Sequence, residues 1–567
     1  MILQALNEYY QRKAMDSSDL APPGFESKAI DFIIVLDREG KPITIEDTRE
    51  IDGKKRIGKK FLVPHSVKKS NNIAANFLWD NPEYALGVVQ KGKPDRVILQ
   101  HEAFISRIHD QMGNMNDSGV QAVLSFIKGF DTAWVSHFPA WSELAVSTGN
   151  VSFRLQGDTE LVCQRSAVLH ILNHSSTTDA DTGFCLIRGE TDITERVHPR
   201  INGVSQSSGA NIVSFNLDAF CSWNKEQGYN SPIGKQAAFA YTTALNYLLR
   251  TGSRQRLQVG DTSTVFWAGH STSFEEDLSA FLGEPSKDDP DRNTAKIRAL
   301  YETVRGGGFT KEDDQNPFFL LGLAPNVGRI AIRFWHVGTV TEIGQRIVKH
   351  FDDLAIDHGP NEPEYPSLFR LMVHTAQQGK ADNIPPNLGG EFMRAILEGK
   401  PYPYSLLQAA VRRNRAEHEV DYFRAAIVKG CLNRLQRIQP FVEKEITVSL
   451  DVKNPNLGYR LGRLFAVLEK IQQEAQPGIN ATIRDRFYGA ASASPLAVFN
   501  TLMKLKNHHL SKLDNPRFVT YYERLIGEII DGIAAYPAQL PLREQGMFSI
   551  GYYHQRQDFY HKKAPAP

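Results

Sequence analysis

The stretch FFLLGLAPNVGRIAIRFW, Phe318 to Trp335, decides the fold class, because it is the last place where the chain alternates with the period of a strand. It predicts two strands joined by a turn at Pro325 and Asn326, with Arg329 and Arg333 alternating against Ile330, Ile332 and Phe334. Beyond about Gly338 almost every periodic segment is helical. PYPYSLLQAAVRRNRAEHEVDYFRAAIVKGCLNRLQ, from Pro401 to Gln436, carries one alanine-rich face and one positive face. From about Val448, Leu461, Leu464, Phe465, Leu468 and Ile471 recur at helical spacing, and further helical stretches run from Pro495 to Leu505 and from Arg517 to Ala534.

Upstream of Phe318 the two periods are mixed. MILQALNEYYQRK opens as an amphipathic helix, and AIDFIIVLDREGKPITI reads as two strands around a REGKP reversal. Glu102 to Leu144 has helical spacing. VSFRLQGDTELVC, from Val151, returns to strand alternation about a QGD turn, and GANIVSFNLDAF, from Gly209, is a further strand candidate. GKQAAFAYTTALNYLLR, from Gly234, predicts a helix with Ala237, Tyr241, Ala244, Leu245 and Leu248 on one face, and DTSTVFWA reads as a buried strand. The expected class is α+β: a mixed α/β N-terminal part with several short strands and helices, then an all-α C-terminal part ending in a small helical bundle. The divisions expected are residues 1–340, a helical connecting region 341–445, and a bundle 446–567.

Hydrophobic residues make up 41% and charged residues 23% of the 567, which fits a globular protein of several units and excludes wholesale disorder. The net charge of +1 excludes a histone-like binder, so any nucleic-acid contact must come from local basic stripes. Cys163, Cys185, Cys221 and Cys431 are far apart and lack C-x-x-C spacing, which argues against a zinc ribbon or a redox motif and for a reducing compartment. The N-terminus lacks the apolar core of a signal peptide, and no long apolar run predicts a membrane span, so a cytoplasmic protein is expected.

Such a stripe precedes SNNIAANFLWDNPEYALGV, Ser70 to Val88. Lys54, Lys55, Arg56, Lys59, Lys60, Lys68 and Lys69 stand against the single acid Asp52, enough to neutralise phosphates without reading sequence. Asn71, Asn72, Asn76 and Asn81 then offer the donors and acceptors needed at base edges, while Phe77, Trp79 and Tyr84 could stack or pack. The plainer reading is a solvated loop followed by a helix start with core aromatics.

A second constellation, His198 to Pro232, has QSSGA at its centre, where small hydroxyl residues beside a glycine let backbone amides approach a phosphate closely. An ordinary turn explains the same residues. The third stripe is helical: Arg412, Arg413, Arg415, Arg424, Lys429, Arg434 and Arg437 face only Glu417, Glu419 and Asp421, and from Arg460 to Lys512 eight cations, among them Arg463, Arg484 and Arg486, face three acids. A solvated helix face competes with a nucleic-acid track there.

Catalytic motifs are missing. GYNSPIGKQ, from Gly228, has the wrong spacing for a phosphate-binding loop and Gln236 where Ser or Thr should bind magnesium. The adjacent His508 and His509 point to different sides of a helix, and the acids Asp288, Asp289, Asp291, Glu312, Asp313 and Asp314 sit in polar sequence typical of solvated loops. No enzyme activity, cofactor or metal is expected.

Together MILQALNEYY, LAPPGFE, NFLWDNPEYALG, HPRINGV, QSSGANIVSFNLDAF, KEQGYNSP, AAFAYTTALNYLL, GDTSTVFWA, LGLAPNVGRIAIRFW, PPNLGGEFMRAIL and NATIRDRFYGAASASP resemble the large subunit of the type I-C CRISPR surveillance complex, Cascade, over nearly the full length. The resemblance implies a non-catalytic subunit that senses a protospacer-adjacent motif of the T-T-C type in double-stranded DNA, promotes duplex opening and R-loop formation, guides the displaced strand and helps recruit a helicase-nuclease. Its partners would be the guide RNA, backbone subunits, the guide-handle-binding subunit and small subunits, with no membrane.

Base pairing with the guide reads the target in such complexes, leaving a short flanking motif to protein. The sensing residues would be Ser70, Asn71, Asn72, Lys91, Gln206, Ser207 and Ser208. Lys54, Lys55, Arg56, Lys59, Lys60, Lys68 and Lys69 would meet phosphate, and Phe77 and Trp79 would lie in the core that holds the asparagines. Arg412, Arg413, Arg415, Arg460, Arg463, Arg484 and Arg486 would track the displaced strand. Asn72 and Asn224 stand where relatives carry Gly, which raises the question of a left-handed backbone that Asn tolerates. The family also implies that a product starting near Val448 could supply the small subunit. The alternatives are a metal-dependent nucleic-acid enzyme and a purely structural scaffold.

Overall fold

The computed structural model describes residues 1–16, 20–52, 55–67, 73–113, 115–174, 182–204, 209–259, 261–283, 292–438 and 444–560. The fold is α+β and divides into two compact units, one formed mainly by residues 3–199 and 213–247, the other by 200–212 and 248–567.

In the first unit the five apolar residues Phe32–Leu36 are all buried, as expected for a strand paired on both edges. They pair antiparallel with Pro42–Asp47 and parallel with Val151–Leu155, and Trp79–Asp80 completes the four-stranded sheet. A parallel pair needs a long crossover. Helices Pro94–Met112 and Ser118–Lys128 lie within it and bury Phe104, Ile108, Val123 and Phe126 in the same core. The REGKP reversal is closed by Asp37, whose Oδ1 accepts the Glu39 and Lys41 N–H groups at 3.1 and 2.7 Å. A separate ribbon pairs Phe25–Ile30 with Lys59–Pro64.

Two expected strands are absent. After Gly157, at φ +91°, the chain enters a 3-10 turn, Val162–Gln164, instead of a second strand. The Gln164 side chain holds it there by accepting the Leu161 N–H at 2.8 Å and donating to the Leu62 carbonyl at 3.0 Å. GANIVSFNLDAF forms only the single bridges Ile201–Ala210 and Asn211–Arg329, after which Asn216 to Phe220 lie exposed. Alternation alone supplies no partner edge. The helix Lys235–Leu249 forms as expected, with Ala237, Tyr241, Ala244, Leu245 and Leu248 all buried.

The second unit begins with an antiparallel sheet in the order Arg256–Val259, Thr262–Ala268, Pro317–Asn326, Arg329–Thr339. Its long hairpin turns at Val327 and Gly328, two residues later than the Pro-Asn reading, since Asn326 pairs with Arg329. The register shifts between Gly322 and Leu323, so that Phe334 points inward while Ile332 is exposed. Gly322 makes room for this: a Cβ there would lie 2.3 Å from the Phe334 ring.

Everything after Thr339 is helical or loop among the described residues, around one continuous core. Leu461, Leu464, Phe465, Leu468 and Ile471 are buried as their spacing predicts. The helices Leu457–Ala475 and Leu542–Tyr560 interlock through glycines. A Cβ on Gly462 would lie 2.0 Å from the Phe548 carbonyl, and one on Gly551 would lie 2.0 Å from the Tyr459 carbonyl. Helices Tyr404–Glu417 and Tyr422–Ile438 share this core, and their positive stripe splits accordingly. Arg424, Lys429 and Arg434 are buried, and Asp353, itself buried, accepts from Arg434 at 2.7 Å and Arg437 at 2.6 Å. No helix among the described residues is long and apolar enough to cross a membrane.

Candidate nucleic-acid interface

Residues 68–72, with Lys68, Lys69, Ser70, Asn71 and Asn72, lie outside the described residues, but the two chain segments that lead into and out of them are clamped. Asn76, one of the amides suited to a base edge, is buried: its Oδ1 accepts the Val67 N–H at 3.0 Å and its own N–H meets Asp80 Oδ2 at 2.8 Å. Trp79 is buried with Phe77 and donates its indole N–H to the Pro64 carbonyl at 2.8 Å. Ser66 N–H donates to Glu26 Oε1 at 2.9 Å, and Arg107 donates to the Ala75 carbonyl while its guanidinium lies over the Phe77 ring. Leu78 adopts φ +61°, a conformation that a branched side chain holds only where its surroundings enforce it. The aromatics thus belong to the core, as expected, and Asn76 is a brace between the two segments.

The brace continues along the chain. Asp80 Oδ1 accepts the Asn81 N–H at 2.8 Å, and Asn81 caps the short helix Pro82–Ala85 by accepting the Tyr84 N–H at 3.1 Å. Glu83 then accepts the Lys91 and Gly92 N–H groups at 2.9 and 2.7 Å; burial pushes its carboxyl up, but these amides hold it below the usual range. That arrangement leaves the Lys91, Lys93 and Arg96 side chains exposed around the start of the helix Pro94–Met112. Lys93 and Arg96 escaped the sequence reading; the signal was the cation spacing in KGKPDR, with Pro94 at the first helical position.

The phosphate set divides. Lys54 lies outside the described residues, and of Lys55 only the backbone, in the strand Lys55–Ile57, is described. Arg56 is bound to Asp47 and Glu143, both at 3.0 Å, in a cluster that Arg49 shares. Lys59 and Lys60 are exposed at the end of the ribbon, opposite Ile30 and Ala29.

In the second unit Gln206, Ser207 and Ser208 lie outside the described residues, but the chain on either side of them is tied together. Ile201 and Ala210 exchange both backbone hydrogen bonds, at 2.8 and 2.9 Å. Gly209 stands at φ +76°, where a Cβ would meet Asn202 Oδ1 at 2.7 Å. Arg256 donates to the Gly203 and Leu249 carbonyls at 2.9 and 2.8 Å, and Ile330 N–H donates to the Asn211 carbonyl at 3.2 Å, which ties these flanking segments to the sheet.

Of the helical arginines, Arg412, Arg415 and Arg486 are exposed, while Arg413 pairs with Glu417 at 3.6 Å. Arg460 donates to the Asn454 carbonyl at 2.9 Å, and Arg484, half-buried, lies 3.9 Å from Glu469. Arg463 is buried, and its guanidinium is taken by Gln555 at 3.1 Å and the Val452 carbonyl at 2.9 Å, so it braces the bundle and faces no strand of nucleic acid. Lys504 and Lys512 of that stripe are exposed, and Arg517, just beyond it, adds another exposed cation. No three His, Cys, Asp or Glu side chains gather to hold a metal ion among the described residues.

A family model described as CRISPR-associated protein (Cas_Csd1) matches residues 6–560. The chain belongs to that family. It is therefore a CRISPR-associated, Cascade-type protein that works within a complex with other Cas proteins. No curated protein sequence matches it.

Proposed function

We propose that this Cas_Csd1 protein is the non-catalytic large subunit of a type I-C complex, reading a flanking motif of the T-T-C type in double-stranded target DNA. It promotes duplex opening and R-loop formation, guides the displaced strand, and helps recruit the helicase-nuclease, beside guide RNA, backbone, guide-handle-binding and small subunits. The observation that carries this reading is the brace from Ser66 through Asn81 to Glu83, which holds the two chain segments flanking the amides Asn71 and Asn72 and leaves Lys91, Lys93 and Arg96 exposed. A reader of bases needs that combination: rigid supports for a few amides, and mobile cations for phosphate.

The test is binding of target duplexes with and without the motif by the assembled complex. Asn71→Ala or Asn72→Ala is expected to cost roughly 1 to 3 kcal/mol on the motif-bearing duplex only. Lys68→Ala is expected to weaken both duplexes and reduce the salt slope by about 1. Motif-independent binding by the unmodified complex would leave a scaffold as the reading. Metal-dependent cleavage by the chain, lost on Asp313→Asn, would make it an enzyme instead; Asp313 Oδ2 accepts the Thr310 N–H at 3.0 Å as a helix cap.

A further inference from the structure

Trp223 exposes 92% of its surface, more than any other large apolar residue among those described. It stands on a loop that is built, with its side chain held outward. Lys225 N–H donates to the Ser222 carbonyl at 3.0 Å across Trp223 and Asn224, both at φ +55°, which makes the tip a left-handed turn of the kind that favours Gly, Asn or Asp. Asn224 suits that backbone; Trp223, a bulky residue, is an outlier there. Asn230 holds the turn from beneath. Its Oδ1 accepts the Ser222 N–H at 2.8 Å, and its Nδ2 donates to the Lys225 and Gln227 carbonyls at 2.8 and 3.1 Å. The loop is seated at Gly228, whose N–H donates to the Arg196 carbonyl at 3.0 Å and whose missing Cβ would lie 2.3 Å from the Glu195 carbonyl.

The geometry points to Trp223 as a stacking platform for an unpaired nucleobase, an inference that rests on the nucleic-acid reading above. Two features favour a base over a protein partner, and a third selects the strand state. The residues on either side of Trp223 are Ser222, Asn224, Lys225, Glu226 and Gln227, hydroxyl and amide groups suited to base edges with one cation beside one acid, where an apolar protein pocket would want an apolar surround. The ring stands at a convex tip with its faces open, so it can slide onto a flat π-surface but cannot close a pocket around a side chain. A paired base inside a duplex offers no free face, which selects a single-stranded segment. Both a displaced DNA strand and the guide RNA contain such bases.

The experiment uses the full chain and short single-stranded DNA and RNA oligonucleotides of one sequence carrying 2-aminopurine, followed by fluorescence titration. Wild-type chain is expected to quench the probe. Trp223→Ala is expected to lose that quench and about tenfold in affinity, with Trp223→Phe retaining most of both and the salt slope unchanged. The oligonucleotide with the larger loss identifies the strand. Since the side chain is exposed, both variants should melt as wild type does. Equal affinity and quench for Trp223→Ala and wild type would overturn the stack while leaving the nucleic-acid reading intact. Loss of a protein subunit from the Trp223→Ala complex, with oligonucleotide binding unchanged, would also overturn it and mark a protein contact. A wild-type chain that binds neither oligonucleotide, together with a complex that binds no target, would remove the nucleic-acid reading and this inference with it.

Discussion

Lowering the pH from 7 to 5 is expected to destabilise the second unit steeply, and two buried histidines account for most of the effect. His350 Nδ1 lies 2.6 Å from the Tyr402 hydroxyl and His554 Nδ1 lies 2.9 Å from the Tyr459 hydroxyl, all four side chains buried. Burial, then the nearby Arg434, depresses His350 from 6.5 to about 3; burial, then Lys429, does the same for His554. Below 6.5 the unfolded chain takes up two protons that the folded chain refuses until about 3, so stability falls as the pH falls. Each histidine contributes about 1.4 kcal/mol per pH unit, hence roughly 2 kcal/mol each by pH 5 and about 4 kcal/mol together. That is a large part of a typical 5–15 kcal/mol domain stability. Urea unfolding followed by far-ultraviolet circular dichroism across this range reads the slope. His350→Gln, whose amide can still meet Tyr402, is expected to lower it by about 1.4 kcal/mol per pH unit and the double variant with His554→Gln by about twice that, leaving the part owed to His336 and His509, which burial also depresses. A double variant that keeps the wild-type slope between pH 6.5 and 5 would refute the assignment.

The glycine interlock gives a sharper structural test. Gly551→Ala or Gly462→Ala, each placing a Cβ 2.0 Å from a facing carbonyl, is expected to cost about 3 kcal/mol or more. Gly527→Ala, at an exposed position of the helix Pro516–Ile530 with no atom within 4 Å of the added Cβ, is expected to stabilise by about 0.5 to 1 kcal/mol; thermal melts of the three compare them directly. Asn76→Ala frees the Val67 N–H and is expected to erase motif discrimination without changing the salt slope, whereas Lys91→Ala with Lys93→Ala should lower that slope by up to about 2. Mass spectrometry of the purified complex is expected to find a fragment of about 13 kDa, roughly 120 residues beginning near Val448; its absence would count against an internally started small subunit.

Periodicity made the helical half legible, because Leu461 to Ile471 must turn one face inward whatever the packing partner. It failed where pairing, and not alternation, decides: Asn211 to Phe220 alternates well enough for a strand but finds only one bridge. The candidate site shows the same division. That Trp79 and Phe77 pack inside follows from their size and apolarity, yet nothing local distinguishes Asn76, which is used up as a brace, from Asn71 and Asn72 in the same run. Side-chain amides are equally fit for a base edge and a backbone N–H, so only the position of Val67 and Asp80 assigns Asn76. Charge counting misleads for a related reason. Arg434 looks like part of a free cationic face because its neighbours in sequence are few in acids, but its carboxylate, Asp353, comes from a helix 81 residues away. A stripe of cations is therefore evidence for a nucleic-acid face only after every partner, local or distant, has been placed: Arg412, Arg415 and Arg486 are exposed, whereas Arg424, Arg434 and Arg463 are buried and bonded within the fold.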